Sequence, residues 1–375
     1  MAPTPEPDPP GARAAATAPA GPEATADFLR ACRRLPVERT PVWFMRQAGR
    51  SLPEYRQARG SGSILGAIAE PELAAELTLQ PVRRYGVDAA ILFSDIVVPV
   101  HAIGFGVDVV PGRGPVIERP FAGASDLERL RPFEPDLDAP YVAETVRLLA
   151  AELSGKGVPL IGFAGAPFTV ASYLVEGGPS RTFGRVKSLM HTEPALWDQL
   201  VGRLAAMALA SVRAQVEAGA AAVQLFDSWA GWLSPAEYER FALPATRSVL
   251  AGLADLDVPT IVFGVGTGEL LGLMATSGAD VVGVDWRVPL DVARRRVGPG
   301  CAVQGNLDPA LVLAPFEVVA AGARQVLAEA GEAPGHIFNL GHGVLPETDP
   351  DVLSALVELV HAEGRAGVMD PGAGS

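Results

Sequence analysis

The stretch AAVQLFDS, residues 221–228, joins a short, mostly apolar run to two polar residues. Such a run is typical of a strand that is buried on both faces, because apolar side chains occupy both sides of the pleat. Strands of this kind occur in parallel sheets that are covered by helices. The polar pair falls where the predicted strand ends.

Seven further runs share this character, and each is flanked by Gly, Pro or a charged residue. Segments with helical spacing separate the runs: residues 70–86 carry an early Pro and a final Gly, and residues 234–254 open with a capping-box spacing. In chain order the eight runs are 41–44, 89–94, 158–163, 221–226, 258–264, 281–284, 301–304 and 336–340.

Eight such strands with intervening helices predict an α/β fold, the (β/α)8 or TIM barrel, as a single domain with extra helices. A doubly wound parallel sheet is the alternative. The long stretch 97–156 predicts a loop excursion with at least one extra helix. Residues 25–365 would form the barrel, since no internal linker rich in Gly or Ser divides them.

The two ends of the chain differ from the barrel in composition. Residues 1–24 combine Pro, Ala and scattered acids without a basic start and an apolar core, which predicts a disordered tail and not a signal peptide. Residues 366–375 are expected to form a frayed C-terminal tail.

Composition narrows the classes of function. The chain of 375 residues is 49% hydrophobic and has a formal net charge of −13, with 43 Asp and Glu against 30 Lys and Arg. This acidity disfavours nucleic acids and membranes as partners, so an anionic ligand would need a local Arg cluster. Two cysteines suit a reducing cytoplasm and exclude a Cys-rich metal site. A run of about 18 apolar residues, as a membrane span needs, is not present.

Polar or Gly-rich turns follow nearly every predicted strand. In a (β/α)8 barrel the carboxyl ends of the strands meet at one mouth, where the chemistry takes place. The sequence therefore predicts a site that combines two arginines, one carboxylate, hydroxyls and one imidazole. The candidates, in chain order, are Arg46, Gln47, Ala48, Gly49, Arg50, Asp95, Tyr173, Ser228 and His342.

Each candidate also has a structural explanation. Arg46 and Arg50 could form ion pairs with Glu54 or Asp95, although the neighbouring Gly49 lets backbone and ligand approach closely. Asp95 could cap a helix, but residues 96–99 do not resemble a helix start. His342, between two glycines at a strand end, could be a hydrogen-bonded core histidine.

The sequence lacks the residues that several known enzyme chemistries require. The only lysines, Lys156 and Lys187, do not follow a predicted strand, which disfavours a Schiff-base aldolase. The motifs GxxxxGK[ST], HExxH and a GxGxxG after a strand are missing from the sequence. The predicted site therefore uses no cofactor and no metal.

The segments that carry these candidates resemble the uroporphyrinogen decarboxylase family, in order from about residue 27 to 362. They are PVWFMRQAGRSLPEYR, FSDIVVP, GAPFTVASYLVEGG, QLFDSWAGWLSP, GVDWRVPL, QGNLDP and FNLGHGVLPETDP. The resemblance implies a carboxy-lyase that converts the four acetates of uroporphyrinogen III to methyls, giving coproporphyrinogen III and CO2 in heme and chlorophyll biosynthesis. It also implies a cofactor-free TIM barrel and a homodimer.

The implied reaction suggests a role for each candidate. Asp95 would stabilise a transiently cationic pyrrole, and Arg46 and Arg50 would bind carboxylates around the reacting acetate. His342 and Tyr173 would bind other carboxylates or assist proton delivery, and Ser228 would donate to a carboxylate. The residue that acts as general acid is left open.

Two alternatives to this enzyme remain. Related zinc-dependent thiol methyltransferases share the barrel and bind zinc through a His-x-Cys pair, whereas this chain has His342-Gly343-Val344 at the corresponding place. A non-catalytic tetrapyrrole carrier could use the same arginines, but it has little need of a carboxylate among them.

Overall fold

A parallel sheet of seven strands, in an order that follows the chain, forms the centre of the computed structural model, which describes residues 26–110 and 112–364. A two-stranded antiparallel hairpin, β2 with β3, stands apart from it. The predicted tails, residues 1–24 and 366–375, lie outside the described residues. The strands are β1 (Ala90–Ile91), β2 (Val107–Val110), β3 (Gly114–Ile117), β4 (Leu160–Gly165), β5 (Ala222–Asp227), β6 (Thr260–Gly264), β7 (Val281–Gly283), β8 (Ala302–Gln304) and β9 (His336–Ile337).

Residues 41–44, the closing segment, occupy the eighth strand position and close the barrel. Val42 pairs in parallel with Phe338, and the Phe338 amide donates to the Pro41 carbonyl at 2.8 Å. On the other side, the Asp88 amide donates to the Val42 carbonyl at 2.8 Å, next to β1. All eight predicted runs thus lie in one closed sheet. The (β/α)8 barrel is confirmed, and the open doubly wound alternative is wrong because no sheet edge remains between β9 and β1.

The residues that the structure describes form sixteen α-helices, which surround the barrel or lie in its loops. They are α1 (Asp27–Cys32), α2 (Pro53–Arg59), α3 (Ile64–Ile68), α4 (Pro71–Tyr85), α5 (Val98–Ala102), α6 (Pro135–Asp138), α7 (Pro140–Leu153), α8 (Pro167–Glu176), α9 (Gly184–Thr192), α10 (Pro194–Glu217), α11 (Pro235–Phe241), α12 (Leu243–Ala251), α13 (Leu271–Ala275), α14 (Leu290–Val297), α15 (Phe316–Ala330) and α16 (Pro350–Glu363).

The two helices predicted from their end signals differ in outcome. Helix α4 ends as expected at Gly86, which adopts a left-handed conformation with φ 66°. The segment predicted from Ser234 onward forms two helices, α11 and α12, although the capping box of Ser234 with Glu237 is present. Pro244 explains the break, because it cannot donate a backbone hydrogen bond and its ring clashes with the preceding turn.

The excursion between β1 and β4 contains the predicted extra helices α6 and α7, and also the hairpin β2–β3, which was not predicted. It further contains α5, which begins at Val98. The expectation that no helix starts near residues 96–99 is therefore wrong. Pro99 lies in the first helical turn, where its missing N–H has no helical partner to lose.

Side chains fill the interior of the barrel. The Trp43 indole donates to Gln304 Oε1 at 3.0 Å, and Gln304 Nε2 donates to Gln224 Oε1 at 3.0 Å. These residues come from strands that are not neighbours in the sheet, so their bonds cross the lumen. The lumen is therefore a packed core, and a ligand has room only at an end of the barrel.

Candidate active site

The candidates from four separate loops meet at the carboxyl end of the barrel strands. Arg46 follows the closing segment 41–44, and Asp95, Tyr173 and His342 follow β1, β4 and β9. Arg46 lies within electrostatic range of all three. A basic, an acidic, a phenolic and an imidazole group thus share one mouth.

Arg46 is exposed and is held in an unusual backbone conformation. Its φ of 59° is left-handed, which is uncommon for a residue with a side chain. Hydrogen bonds fix the preceding residue: the Met45 amide donates to Asn339 Oδ1 at 3.1 Å, and the Met45 carbonyl accepts from the Val344 amide at 2.8 Å. The loop after β9 therefore sets the direction of Arg46.

Gly343 completes this arrangement by giving the Arg46 side chain space. A Cβ placed on Gly343 would lie 2.5 Å from Cδ and 2.7 Å from Cγ of Arg46. Contacts this short do not occur between carbon atoms, so any larger residue would displace the Arg46 side chain. The motifs MRQAGR and NLGHG are thus two halves of one packed unit.

The residues between the two arginines shape the loop. Gln47 is completely buried; its Oε1 accepts from the Phe44 amide at 3.0 Å, and its Nε2 donates to the Ala89 carbonyl at 3.1 Å. Its side chain therefore supports the loop from the core. Ala48 packs against the hydrophobic core, and a Cβ on Gly49 would lie 2.9 Å from the Arg46 carbonyl oxygen.

Arg46 and Arg50 are exposed, and neither forms an ion pair within 4.0 Å with any residue in 26–110 or 112–364. Glu54, the proposed alternative partner, lies 3.8 Å from Arg84 instead. Arg56 lies on α2 and donates to the Arg50 carbonyl at 2.5 Å. Both arginines therefore keep their charge available for a ligand, and Arg46 lies within electrostatic range of Asp95, Tyr173 and His342.

Asp95 lies half-buried within electrostatic range of Arg46. Its Oδ1 accepts from the Val97 amide at 3.1 Å, and the Ile96 amide also bonds to the carboxylate. Burial raises the pKa of Asp95, and the bond from Val97 and the charge of Arg46 oppose that rise. The residue that caps α5 is Val97, so Asp95 is not its N-cap. A carboxylate has about four lone-pair sites, so it can accept further N–H groups from a ligand.

Tyr173, on α8, is buried with its ring 5.8 Å from the ring of Trp229. Burial raises its pKa, and Asp95 adds to the rise while a hydrogen bond from the Trp229 side chain and the charge of Arg46 oppose it. The phenol is consequently protonated at neutral pH and can donate to an anion.

A buried set of residues that the sequence reasoning did not assign to the site supports Tyr173. Thr169 Oγ1 accepts from the Trp229 amide at 3.1 Å and donates to Asp227 Oδ1 at 2.7 Å. Asp227 is completely buried, which raises its pKa to about 6. The signal that could have identified the set is the strand-end sequence FDSW, in which an acid and an aromatic residue flank Ser228.

Ser228 and His342 complete the mouth. Ser228 is half-buried directly after β5, and its hydroxyl makes no hydrogen bond with a described residue. His342 meets the Phe263 ring edge-on at 6.4 Å. Burial, followed by the charge of Arg46, lowers the pKa of His342 to about 4, so its imidazole is neutral at pH 7.

In the part of the chain that the structure describes, no group of three or more His, Cys, Asp or Glu residues is placed to hold a metal ion. Nor is any helix there both long and apolar enough to span a membrane.

The arrangement suits a polyanionic ligand that develops positive charge during reaction. Unpaired guanidinium groups at the rim can bind carboxylates in bidentate geometry. A half-buried carboxylate near Arg46 can accept N–H groups and stabilise a cation, most strongly where water is excluded.

Comparison with known proteins places the chain in a family. The family model described as Uroporphyrinogen decarboxylase (URO-D) matches residues 23–363. A uroporphyrinogen decarboxylase from Salinispora tropica is 62% identical over 341 residues, which cover 91% of each chain. One from Streptomyces coelicolor is 60% identical over 349 residues, covering 92% of this chain and 98% of its own.

Solved structures share the fold at lower identity. A methyltransferase from Methanosarcina mazei has a TM-score of 0.73 and 21% identity, covering 90% of this chain and 98% of its own. A B12-independent methionine synthase from Shewanella has a TM-score of 0.52 and 15% identity, covering 78% and 88%. At these identities the likeness shows the barrel alone. By the family match and the close relatives, the chain belongs to the uroporphyrinogen decarboxylase family.

Proposed function

We propose that this chain decarboxylates the four acetate side chains of uroporphyrinogen III, giving coproporphyrinogen III and four CO2, and that the described mouth is where it does so. The observation that carries the assignment of the site is Arg46, exposed and without an ion-pair partner among the described residues, within electrostatic range of the Asp95 carboxylate. An octacarboxylate matches the arginines, and its four pyrrole N–H groups match the carboxylate.

The reaction needs an acceptor for the electrons of the breaking C–C bond. Protonation of a pyrrole ring carbon makes the ring cationic, and the electron pair left by CO2 then flows into it. Protonation of the resulting exocyclic methylene carbon, with loss of the proton that was first added to the ring carbon, restores the pyrrole and yields the methyl group. The substrate thus supplies its own electron sink, a task that a cofactor performs in many decarboxylases.

Asp95 would stabilise the cationic pyrrole. At about 4 Å a pair of unit charges gains about 4 kcal/mol at an effective dielectric constant of 20, before any cost of desolvation. This gain exists only once the ring is protonated, so it lowers the barrier and does not merely tighten substrate binding. The Val97 amide, bonded to Oδ1, would hold the carboxylate in place while Oδ2 accepts the pyrrole N–H groups.

Arg46 and Arg50 would grip carboxylates around the reacting acetate. Tyr173 and His342 would bind other carboxylates or assist proton delivery, the phenol as a donor and the imidazole in its neutral form, since the pKa of His342 is lowered to about 4. Ser228, with its hydroxyl unengaged by described residues, would donate to a further carboxylate. The site as proposed uses no cofactor and no metal.

We further propose a cytoplasmic homodimer. Cys32 and Cys301 are both free thiols, which suits a reducing compartment. The homodimer follows from the family resemblance, and light scattering would test it: we expect twice the 39.0 kDa mass of one chain.

The decisive experiment is anaerobic incubation of the purified protein with uroporphyrinogen III, followed by separation of the products by carboxylate number. We expect species with seven, six, five and finally four carboxylates. A protein that binds the substrate but releases no CO2 would be a carrier. Activity that a chelator abolishes and zinc restores would contradict the metal-free site.

A further inference from the structure

The segment GVDWRVPL contains an arginine, Arg287, that the proposed chemistry does not yet use. It lies four residues beyond the end of β7, on the loop at the carboxyl end of the barrel. Its side chain is 51% exposed.

Arg287 adjoins the mouth because two loops are in close contact. Gly341 lies directly against the backbone of Trp286, where a Cβ would overlap the Trp286 amide. Gly341 and Trp286 are the immediate neighbours of His342 and Arg287, and the charge of Arg287 acts on the imidazole of His342. The loop after β7 therefore presents a third arginine beside the loop after β9.

The guanidinium of Arg287 is fixed from two sides. Its carbon Cζ lies 3.9 Å above the centre of the Trp286 ring, and its Nη1 donates to Asp285 Oδ2 at 2.5 Å. Stacking on a flat ring and one ionic bond leave the group few orientations. A group already held in place loses little conformational entropy when a ligand binds.

Asp285 does not consume the binding capacity of this arginine. Its buried carboxylate also accepts from the amides of Gly266 and Arg287, so backbone donors satisfy it as well. Among the residues that the structure describes, none accepts from Nε or Nη2 of Arg287. These N–H groups remain for a carboxylate.

A groove of about 340 Å³ adjoins Arg287 and is lined by residues that follow β6 and β7. Its walls include Val288, Pro289 and Val292, which suit methylene groups, and they also include Arg296. Arg296 is already paired with Glu269 at 3.1 Å. Glu269 would repel an anion deep in the groove, so the carboxylate would stay at the Arg287 end.

We propose that Arg287 binds a propionate carboxylate of the substrate, and so acts as an additional substrate-positioning residue at the rim. The proposal rests on the proposed function. The propionates are the suitable partners because they survive all four decarboxylations, whereas each acetate is lost in turn. A fixed arginine at the rim therefore finds a propionate in the substrate, in every intermediate and in the product.

Three variants test the proposal. Arg287→Gln removes the charge, and Arg295→Gln is the matched control, since Arg295 lies on α14 and pairs with Asp291 at 2.8 Å on an exposed surface. We expect Arg287→Gln to raise KM for uroporphyrinogen III about tenfold with kcat within about twofold, as for the loss of one charge-assisted hydrogen bond. Arg287→Lys should recover part of the affinity, and Arg295→Gln should match the wild type.

Binding of the oxidised porphyrins, followed by fluorescence quenching, separates propionate from acetate contacts. Uroporphyrin carries eight carboxylates, and coproporphyrin retains only the four propionates. We expect Arg287→Gln to weaken the binding of uroporphyrin and of coproporphyrin by a similar factor of about ten. Weakening of uroporphyrin alone would assign Arg287 to an acetate and overturn the proposal.

The outcomes also distinguish this inference from the proposed function. An active wild type whose KM and porphyrin affinities do not change in Arg287→Gln would overturn the inference and leave the decarboxylase intact. A wild type that binds both porphyrins through Arg287 but releases no CO2 would overturn the decarboxylase alone. A wild type that neither reacts nor binds would overturn both.

Discussion

Asp95 is the residue on which the chemistry depends most directly, because it is the carboxylate nearest to where positive charge would develop. We expect Asp95→Asn to keep substrate KM within about threefold and to lower kcat by about 100-fold or more, the range seen when a single electrostatic stabiliser is removed. Steady-state kinetics would check this. Asp198→Asn, which changes an exposed partner of Arg240, is the control. Unchanged kcat in Asp95→Asn would contradict the charge role.

The pKa of Asp95 adds a second measurement. Burial raises it, and the role requires the ionised form, so activity should fall as the pH drops through this raised pKa. The acid limb of the wild-type kcat profile should therefore lie above the usual aspartate range and should vanish in Asp95→Asn. An acid limb that is the same in both proteins would assign the titration to another group.

Arg50 tests whether charge alone or the shape of the guanidinium matters. We expect Arg50→Lys to raise KM about five- to tenfold with a smaller change in kcat, because lysine keeps the charge but loses bidentate geometry. Arg83→Lys is the matched control, since Arg83 pairs with Glu76 on the exposed side of α4. Equal KM values for Arg50→Lys and wild type would argue against a bidentate contact.

At the scale of elements, the closing segment 41–44 and the loop after β9 act as one unit. Gly343→Ala would place a methyl group 2.5 Å from Cδ of Arg46 and push that side chain away from the mouth. We expect activity to fall at least tenfold while Tm shifts by only a few degrees, because an exposed side chain can move at little cost to folding. Kinetics together with thermal unfolding would measure both effects.

Gly202→Ala provides the comparison for that substitution. Gly202 lies inside α10, and a Cβ there meets nothing within 4 Å. Alanine should stabilise this helix by about 1 kcal/mol and leave activity unchanged. If Gly343→Ala behaved like Gly202→Ala, Gly343 would not be what positions Arg46.

The elements also show what local sequence can and cannot predict. The barrel strands were predictable because a strand buried on both faces must be a short apolar run. Pro244 was visible in the sequence, yet the apolar spacing around it resembled one continuous helix, and the structure has two. The start of α5 carried no capping side chain, since its N-cap is Val97.

At the scale of the whole molecule, the site was predictable where the fold rule sufficed. Arg46, Asp95 and His342 follow three strands of one barrel, so a shared mouth followed from topology. The buried contacts of Thr169 with Asp227, and the support of Gln47 from the core, depend on packing between segments far apart in sequence. Residue spacing holds no record of such packing.

The global pH dependence of stability combines opposing groups. Burial raises the pKa of Asp227 from 3.8 to about 6. Its contribution to the free energy of unfolding is therefore lost as the pH rises from the pKa of the unfolded chain toward 6. His336 acts in the opposite direction, because burial lowers its pKa to about 4. The pH dependence of the wild type's free energy of unfolding therefore combines the contributions of Asp227 and His336. The difference between the wild type and a variant that lacks one of these groups isolates the contribution of that group.

His336 is 7% exposed, and its burial lowers its pKa, while the bond from its Nε2 to the Gly305 carbonyl at 2.9 Å opposes that shift, so the folded state holds it neutral through burial. The unfolded chain takes up the proton near pH 6.5 and the folded state only near pH 4, so stability present above pH 6.5 is lost as pH falls toward 4. His336→Gln keeps a donor for the Gly305 carbonyl. Between pH 7.5 and 4.5 we expect its free energy of unfolding to fall by about 2 to 3 kcal/mol less than that of the wild type. Urea unfolding at both pH values would measure this difference, and parallel losses in the two proteins would show that His336 is not held neutral by burial.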